Sequence, residues 1–263
     1  MLDRLRRPFF LAALIAWLLV VLVEIGASFL PVPDLSVAEL RAAILRDLPA
    51  GEEPPTNAEL QDMIRARQDK PPRPGYAITA LVAFDGLVFL GLFWMGAGLV
   101  ISRGVVGRVQ GIVSLIVALV TIVVGIIAFF VLLALLFVML GLFLAPPFGT
   151  IAYLAIWGFF ARGPAAATLG LLLALKLAAV VLLVLAQQDF LKRKSLLIVA
   201  GLSLLLTLLI RFLHGLPPLI VVSITDVLGA LIILAVSILW AVLVLIGAII
   251  ATVKALRPAS TRG

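Results

Sequence analysis

The sequence predicts an all-α protein, a polytopic transmembrane bundle of six helices, or of eight if one long apolar region crosses the membrane three times. Two observations lead to this fold class. The chain is 64% hydrophobic with a mean hydropathy of +1.31, whereas soluble domains are about half apolar. The apolar residues form uninterrupted blocks long enough to span a hydrocarbon core of about 30 Å as helices. A membrane β-barrel would show short alternating segments instead.

The charged residues fit the same class of protein. The net charge is +7, and Lys and Arg cluster at the ends of the apolar blocks, where the positive-inside rule places them. We therefore expect the lipid bilayer and other membrane subunits as partners, and no nucleic acid. The chain has no cysteine and a single histidine, which excludes a thiolate nucleophile and a metal site built from Cys or from several His residues. No metal or cofactor is expected.

Residues 1–30 predict an N-terminal membrane anchor helix. Three arginines within the first seven residues precede an apolar run from Phe9 to Leu30, which is about one span long. This arrangement also resembles a signal peptide, but Ile25-Gly26-Ala27 is a poor cleavage site. We expect an uncleaved helix with its basic end in the cytoplasm.

Residues 31–75 are the hydrophilic part of the chain and predict an extracytoplasmic insert. Ser36-Val37-Ala38-Glu39 and Thr56-Asn57-Ala58-Glu59 both have the pattern of a capping box, in which the hydroxyl and the Glu satisfy backbone donors at a helix start. We expect two short amphipathic helices that lie on the membrane surface or on the ends of the spans. About 45 residues without a disulfide rarely build a core of their own.

Residues 76–253 predict the main transmembrane bundle, followed by a cytoplasmic tail at 254–263. Four segments each predict one span: 76–101, 165–187, 195–213 and 219–253. The apolar run 109–144 is too long for one perpendicular span, and it contains no polar turn that would divide it into two.

A proline pair interrupts the chain directly after this run. Pro146 and Pro147 remove two backbone donors, and Gly149 and Thr150 then begin a new helix. Broken helices of this kind form ion and substrate sites in transporters, and a kink packed against neighbouring helices is the structural alternative. An odd number of crossings between residues 109 and 160 keeps most flanking cations on the cytoplasmic side. We expect one crossing followed by a broken segment, or three short crossings, with both termini cytoplasmic.

Four ionisable residues lie within the predicted spans: Glu24, Asp85, Lys176 and Asp226. Each is a candidate for function, because such a residue costs at least about 2.5 to 3.5 kcal/mol near the bilayer centre. Counted from the predicted span ends, the three carboxylates are expected at one depth, roughly 9 to 14 Å below the outer surface. Lys176 lies near the middle of its span and needs Asp85 or Asp226 as a partner. The group is either a polar site for a cation or protons, or an internal ion pair.

Two further features bear on packing and on function. Gly170, Ala174 and Ala178 form a small-xxx-small ladder, which predicts close approach of another helix. Asp85 and Asp226 lie on separate spans, and in this they resemble the paired aspartates of intramembrane aspartyl proteases. The resemblance covers those two residues alone, because the Gly-x-Gly-Asp signature of that family is absent.

The sequence does not indicate an enzyme, since neither H-E-x-x-H nor G-x-S-x-G occurs. We predict a non-enzymatic accessory or structural membrane protein that binds other membrane subunits or lipids. The alternative is a small ion- or proton-coupled transporter that uses the intramembrane charges and the broken helix.

Overall fold

The structure is a computed structural model of the chain and describes residues 2–29, 38, 41, 55–68, 75–101, 103–144, 162–190, 194–215 and 219–256. The helices are α1 (Leu2–Ser28), α2 (Asn57–Gln68), α3 (Tyr76–Val100), α4 (Arg103–Leu144), α5 (Arg162–Phe190), α6 (Lys194–Gly215) and α7 (Leu219–Leu256). In these ranges six helices, all but α2, are long and apolar enough to cross a membrane. The predicted class, a bundle of six transmembrane helices, is confirmed.

Close contacts at glycines fix the direction of the helices around α3. A Cβ placed on Gly96, near the end of α3, would lie 3.2 Å from Leu14 and 3.4 Å from Phe10 in the first half of α1, and one on Gly91 would lie 2.7 Å from Leu196 near the start of α6. Helix α3 therefore runs antiparallel to α1 and to α6. Gly229, early in α7, lies beside Ala77 at the start of α3, so α3 and α7 run in the same direction.

Helix α4 packs mainly along α7, and two of its glycines lie against that helix. A Cβ placed on Gly111 of α4 would lie 2.5 Å from Thr252 Oγ1 and 3.2 Å from the backbone nitrogen of Thr252. Further along, a Cβ on Gly125 would lie 3.0 Å from Ile238. The start of α4 therefore meets the end of α7, and the two helices are antiparallel.

The long apolar run 109–144 lies within a single helix. Helix α4 is one uninterrupted helix of 42 residues, so the alternative of three short crossings is wrong for residues 103–144. Gly170 of α5 lies beside Arg211 near the end of α6, which makes those two helices antiparallel as well. Helix α4 consequently ends, and α5 begins, on the same face of the bundle, and α1 begins and α7 ends on the opposite face.

The predicted broken segment stays a prediction, because Pro146, Pro147, Gly149 and Thr150 lie outside the described residues. The part of α4 that is apolar enough to span a membrane, Val106–Gly141, has 36 residues. At about 1.5 Å per residue this part is about 54 Å long, against a hydrocarbon core of about 30 Å. Tilt, or extension beyond the core, must take up the difference.

Helix α2 begins with the predicted capping box. The backbone N–H and the hydroxyl of Thr56 donate to Glu59 Oε2 over 2.8 and 2.9 Å, and the backbone N–H of Glu59 donates to Thr56 Oγ1 over 3.4 Å. Leu60 follows and is fully buried. Of the first predicted insert helix only Ala38 and Arg41 are described, both helical, and the rest of that prediction lies outside the described residues.

Helix α5 turns most of the predicted ladder away from the rest of the chain. Ala174 and Ala178 are exposed, whereas Gly170 is half-buried and lies beside Arg211 of α6, so close approach of another helix along the whole ladder stays a prediction. The face that α5 turns inward carries the fully or almost fully buried residues Leu169, Leu172, Lys176, Ala179, Leu183 and Ala186. Lys176 lies about 200° around the helix from Ala174, at 100° per residue, so burial of the lysine turns the ladder outward.

Candidate functional site

Lys176 is the centre of a buried polar group that joins four helices. Its side chain on α5 is fully buried. The Nζ atom lies 2.6 Å from Asp85 Oδ2 on α3 and 2.8 Å from Glu24 Oε1 on α1. It also donates a hydrogen bond to Thr207 Oγ1 on α6 over 2.7 Å. We call Glu24, Asp85, Lys176, Ser203 and Thr207 the charge cluster.

Both carboxylate oxygens of Asp85 accept hydrogen bonds within the charge cluster. Its Oδ2 accepts a hydrogen bond from Lys176, and its Oδ1 accepts one from Ser203 Oγ over 2.5 Å. Thr207 Oγ1 in turn donates to the backbone oxygen of Ser203 over 3.0 Å. Because Ser203 and Thr207 are four residues apart, both hydroxyls lie on one face of α6. One of them contacts Asp85 and the other contacts Lys176.

Glu24 is held differently, although its side chain is also fully buried. Its Oε1 lies 2.8 Å from Lys176 Nζ, close enough for an ion pair. Neither Oε1 nor Oε2 has a hydrogen-bond partner among the residues that the structure describes. The cluster thus contains two carboxyl groups, one well bonded and one poorly bonded, around a single ammonium.

Asp226 does not belong to this cluster. Its Oδ2 and Oδ1 accept hydrogen bonds from the backbone N–H groups of Tyr76 and Ala77, over 2.8 and 3.2 Å. These are free N–H groups at the start of α3, where the capping position is Gly75, which has no side chain to satisfy them. A carboxylate is favoured there because a helix start carries partial positive charge. Asp226 is therefore a capping residue supplied by another helix.

The expectation that three carboxylates share one depth is wrong for Asp226. Asp226 lies level with Tyr76, and Asp85 follows nine residues later, about 13 Å along the axis of α3. The count from span ends failed because α7 begins seven residues before Asp226 and so extends about 10 Å beyond the start of α3. For the same reason the structure does not bring together Asp85 and Asp226, the two residues that resemble the aspartates of intramembrane aspartyl proteases.

Ser203 and Thr207 are the residues of the site that sequence reasoning missed. The signal was present, because a Ser and a Thr four residues apart interrupt the run SLLLT of an otherwise apolar helix. Such hydroxyls in membrane helices form hydrogen bonds across helix interfaces. The spacing alone, however, does not reveal which charged residue they meet.

The charge cluster contains two carboxyl groups, one ammonium and two hydroxyls, which are groups that can form ion pairs and transfer protons. Among the described residues no group of three or more His, Cys, Asp or Glu side chains could hold a metal ion. Comparison of the chain with protein-family models, with curated proteins and with solved structures found no match.

Proposed function

We propose that this protein is a non-enzymatic accessory or structural membrane protein that acts by packing against other membrane subunits or lipids. The observation that carries the proposal is the outward face of α4. In an apolar 18-residue window of α4 only 22% of the residues are buried within the chain, against 44% in the corresponding window of α3. Helix α4 contacts its own chain mainly through α7 and leaves most of its large apolar side chains uncovered.

The uncovered side chains of α4 form a broad apolar surface along almost the whole helix. They are Val109, Ile112, Ile116, Leu119, Val120, Val123, Val124, Ile126, Ile127, Phe130, Val131, Phe137, Val138 and Leu144. Their recurrence every three or four residues leaves a surface suited to lipid chains or to an apolar helix of another subunit. We call it the α4 outer face.

The complete burial of the three charged residues of the charge cluster supports the same proposal. Glu24, Asp85 and Lys176 are each 0% exposed, and their contacts join α1, α3 and α5. Membrane helices gain little from burying apolar surface against one another, because lipid is as apolar as a leucine side chain. Polar contacts between helices are then a means of specifying which helices pack, which is what a structural protein requires.

Single-cysteine cross-linking in the native membrane tests the proposal, because the chain has no cysteine of its own. We expect cysteines placed along the α4 outer face, for example at Ile116, Val123 and Phe130, to form cross-links to another subunit or to lipid-like probes. Cysteines at Ala118 and Leu132, which are buried on the same helix, are the matched controls and should not react. Equal reaction of both sets would contradict the proposal.

The charge cluster favours one alternative, a small ion- or proton-coupled transporter. Two carboxyl groups and an ammonium contributed by three membrane helices are the kind of group that proton and ion pathways use. Purified protein in liposomes with an imposed pH or ion gradient separates the two functions. A structural protein gives no flux above empty liposomes, whereas a transporter gives flux that Asp85→Asn abolishes and that the control Asp226→Asn preserves, since Asp226 caps α3.

A further inference from the structure

We infer that Glu24 is a proton-binding site, so that at neutral pH the charge cluster consists of one ion pair, Asp85 with Lys176, and one neutral carboxylic acid. The inference concerns the resting state of the bundle and does not depend on whether the protein packs against partners or transports. It rests on three observations: the hydrogen bonds of the two carboxyl groups differ, the charges do not balance without a proton, and no other described group can supply the missing positive charge.

The hydrogen bonds distinguish the two acids. Both oxygens of Asp85 accept a hydrogen bond, one from Lys176 and one from Ser203, as an ionised carboxylate requires when it is removed from water. Both oxygens of Glu24 are buried: Oε1 makes an ion-pair contact with Lys176 at 2.8 Å, and neither oxygen accepts a hydrogen bond from the described residues. A proton on Glu24 removes the need for acceptor partners and turns one oxygen into a donor. The asymmetry therefore assigns the negative charge to Asp85.

The charge count leads to the same assignment. Glu24 and Asp85 both contact the one ammonium of Lys176, so their carboxyl groups also lie close to each other. Two ionised carboxylates in contact repel, and one ammonium leaves a net negative charge in a fully buried site, which is unfavourable in a medium of low dielectric constant. A single added proton makes the whole cluster neutral.

The surrounding helices supply no other counter-charge to Glu24. In the described ranges, α3 contributes Asp85 to the cluster and α5 contributes Lys176, while α6 contributes only the hydroxyls of Ser203 and Thr207. Both hydroxyls already donate, to Asp85 and to the Ser203 carbonyl. Nor do the described residues include a group of three or more His, Cys, Asp or Glu side chains that could hold a metal ion.

Infrared spectroscopy of the protein in lipid bilayers tests the assignment, because the carbonyl stretch of a carboxylic acid is separate from the bands of a carboxylate. The sequence offers an isotope test without mutation: Glu24 is the only one of the five glutamates outside residues 31–75. We expect the wild type at neutral pH to show a carboxylic-acid band that shifts when glutamate is ¹³C-labelled at its side-chain carboxyl group. The band should not shift when aspartate is labelled instead.

Two variants complete the test. Glu24→Gln should lose the band, and Asp226→Asn, which removes another buried carboxyl group of the same bundle, should keep it. The inference is overturned if the wild type lacks the band at neutral pH, if the band shifts only with labelled aspartate, or if it survives in Glu24→Gln. The isotope measurement needs no variant, so it decides the question even where Glu24→Gln does not fold.

Discussion

Removing the positive charge of the cluster is the most informative perturbation of this bundle. We consider Lys176→Met, because methionine keeps an unbranched side chain of similar length while removing the ammonium. In the variant, Asp85 keeps only its hydrogen bond from Ser203 and loses the ammonium at 2.6 Å. Thr207 still donates to the Ser203 carbonyl, so Asp85 is the group that loses most of its stabilising contacts.

The expected magnitude follows from leaving one charge unpaired. Breaking a buried ion pair by removing one partner costs about 3 to 5 kcal/mol, because the remaining charge is desolvated without compensation. Since Met fills nearly the same volume, little cavity cost is added. We therefore expect Lys176→Met to lower the free energy of unfolding by about 3 to 5 kcal/mol. Asp85→Asn in the same chain should restore most of it, since an ion pair replaced as a unit costs little.

Unfolding in mixed detergent micelles, followed by circular dichroism, measures these differences. Lys254→Met serves as the control, because Lys254 is exposed near the end of α7 and its loss should change stability little. Lys176→Met combined with Glu24→Gln is the second comparison. If Glu24 is neutral in the cluster, this double variant still leaves Asp85 without a counter-charge, so its free energy of unfolding should be no higher than that of Lys176→Met.

Two results would refute this reasoning. One is a Lys176→Met variant as stable as the Lys254→Met control, which would mean that the ammonium does not compensate a buried carboxylate. The other is a double variant with Asp85→Asn that is no more stable than Lys176→Met alone, since the two changes would then act independently.

Three further predictions concern packing and capping. Gly111→Ala should destabilise the protein by about 1 to 3 kcal/mol through overpacking against α7, whereas Gly107→Ala, where nothing lies within 4 Å, should be neutral or stabilising in the same unfolding assay. Asp226→Asn should cost about 1 kcal/mol by weakening the cap of α3, and an unchanged midpoint would count against that role. Hydrogen bonds from the backbone and hydroxyl of Thr56 hold the pKa of Glu59 below its ordinary value of 4.5. The stabilisation of α2 by the Glu59 carboxylate is therefore fully present above pH 4.5 and is lost as the pH falls through the lowered pKa. In that pH range hydrogen exchange of the α2 amides should accelerate relative to the Glu59→Gln variant, which has no carboxylate to protonate.

The capping box shows how much local chemistry can be predicted from the chain. The Thr56 to Glu59 pattern predicted a helix start, and both reciprocal bonds are present. All their atoms lie within four residues, so no distant part of the chain is needed to form them. Most membrane helices were predictable for a similar reason, because apolar length is a property of each segment by itself. The run 109–144 was the exception, since its length left six or eight crossings open and only the structure shows it as one helix.

The sequence alone thus determined the class of the protein, its apolar helices, and Glu24, Asp85 and Lys176 as costly residues that required partners. Only the tertiary structure decided the partners, because these depend on how far each helix is rotated and shifted along its neighbours. The rotation of α5 placed Lys176 inside and its small-residue ladder outside. The shift of α7 along α3 moved Asp226 away from the lysine and onto the free N–H groups of α3, and no pattern within one helix encodes that displacement.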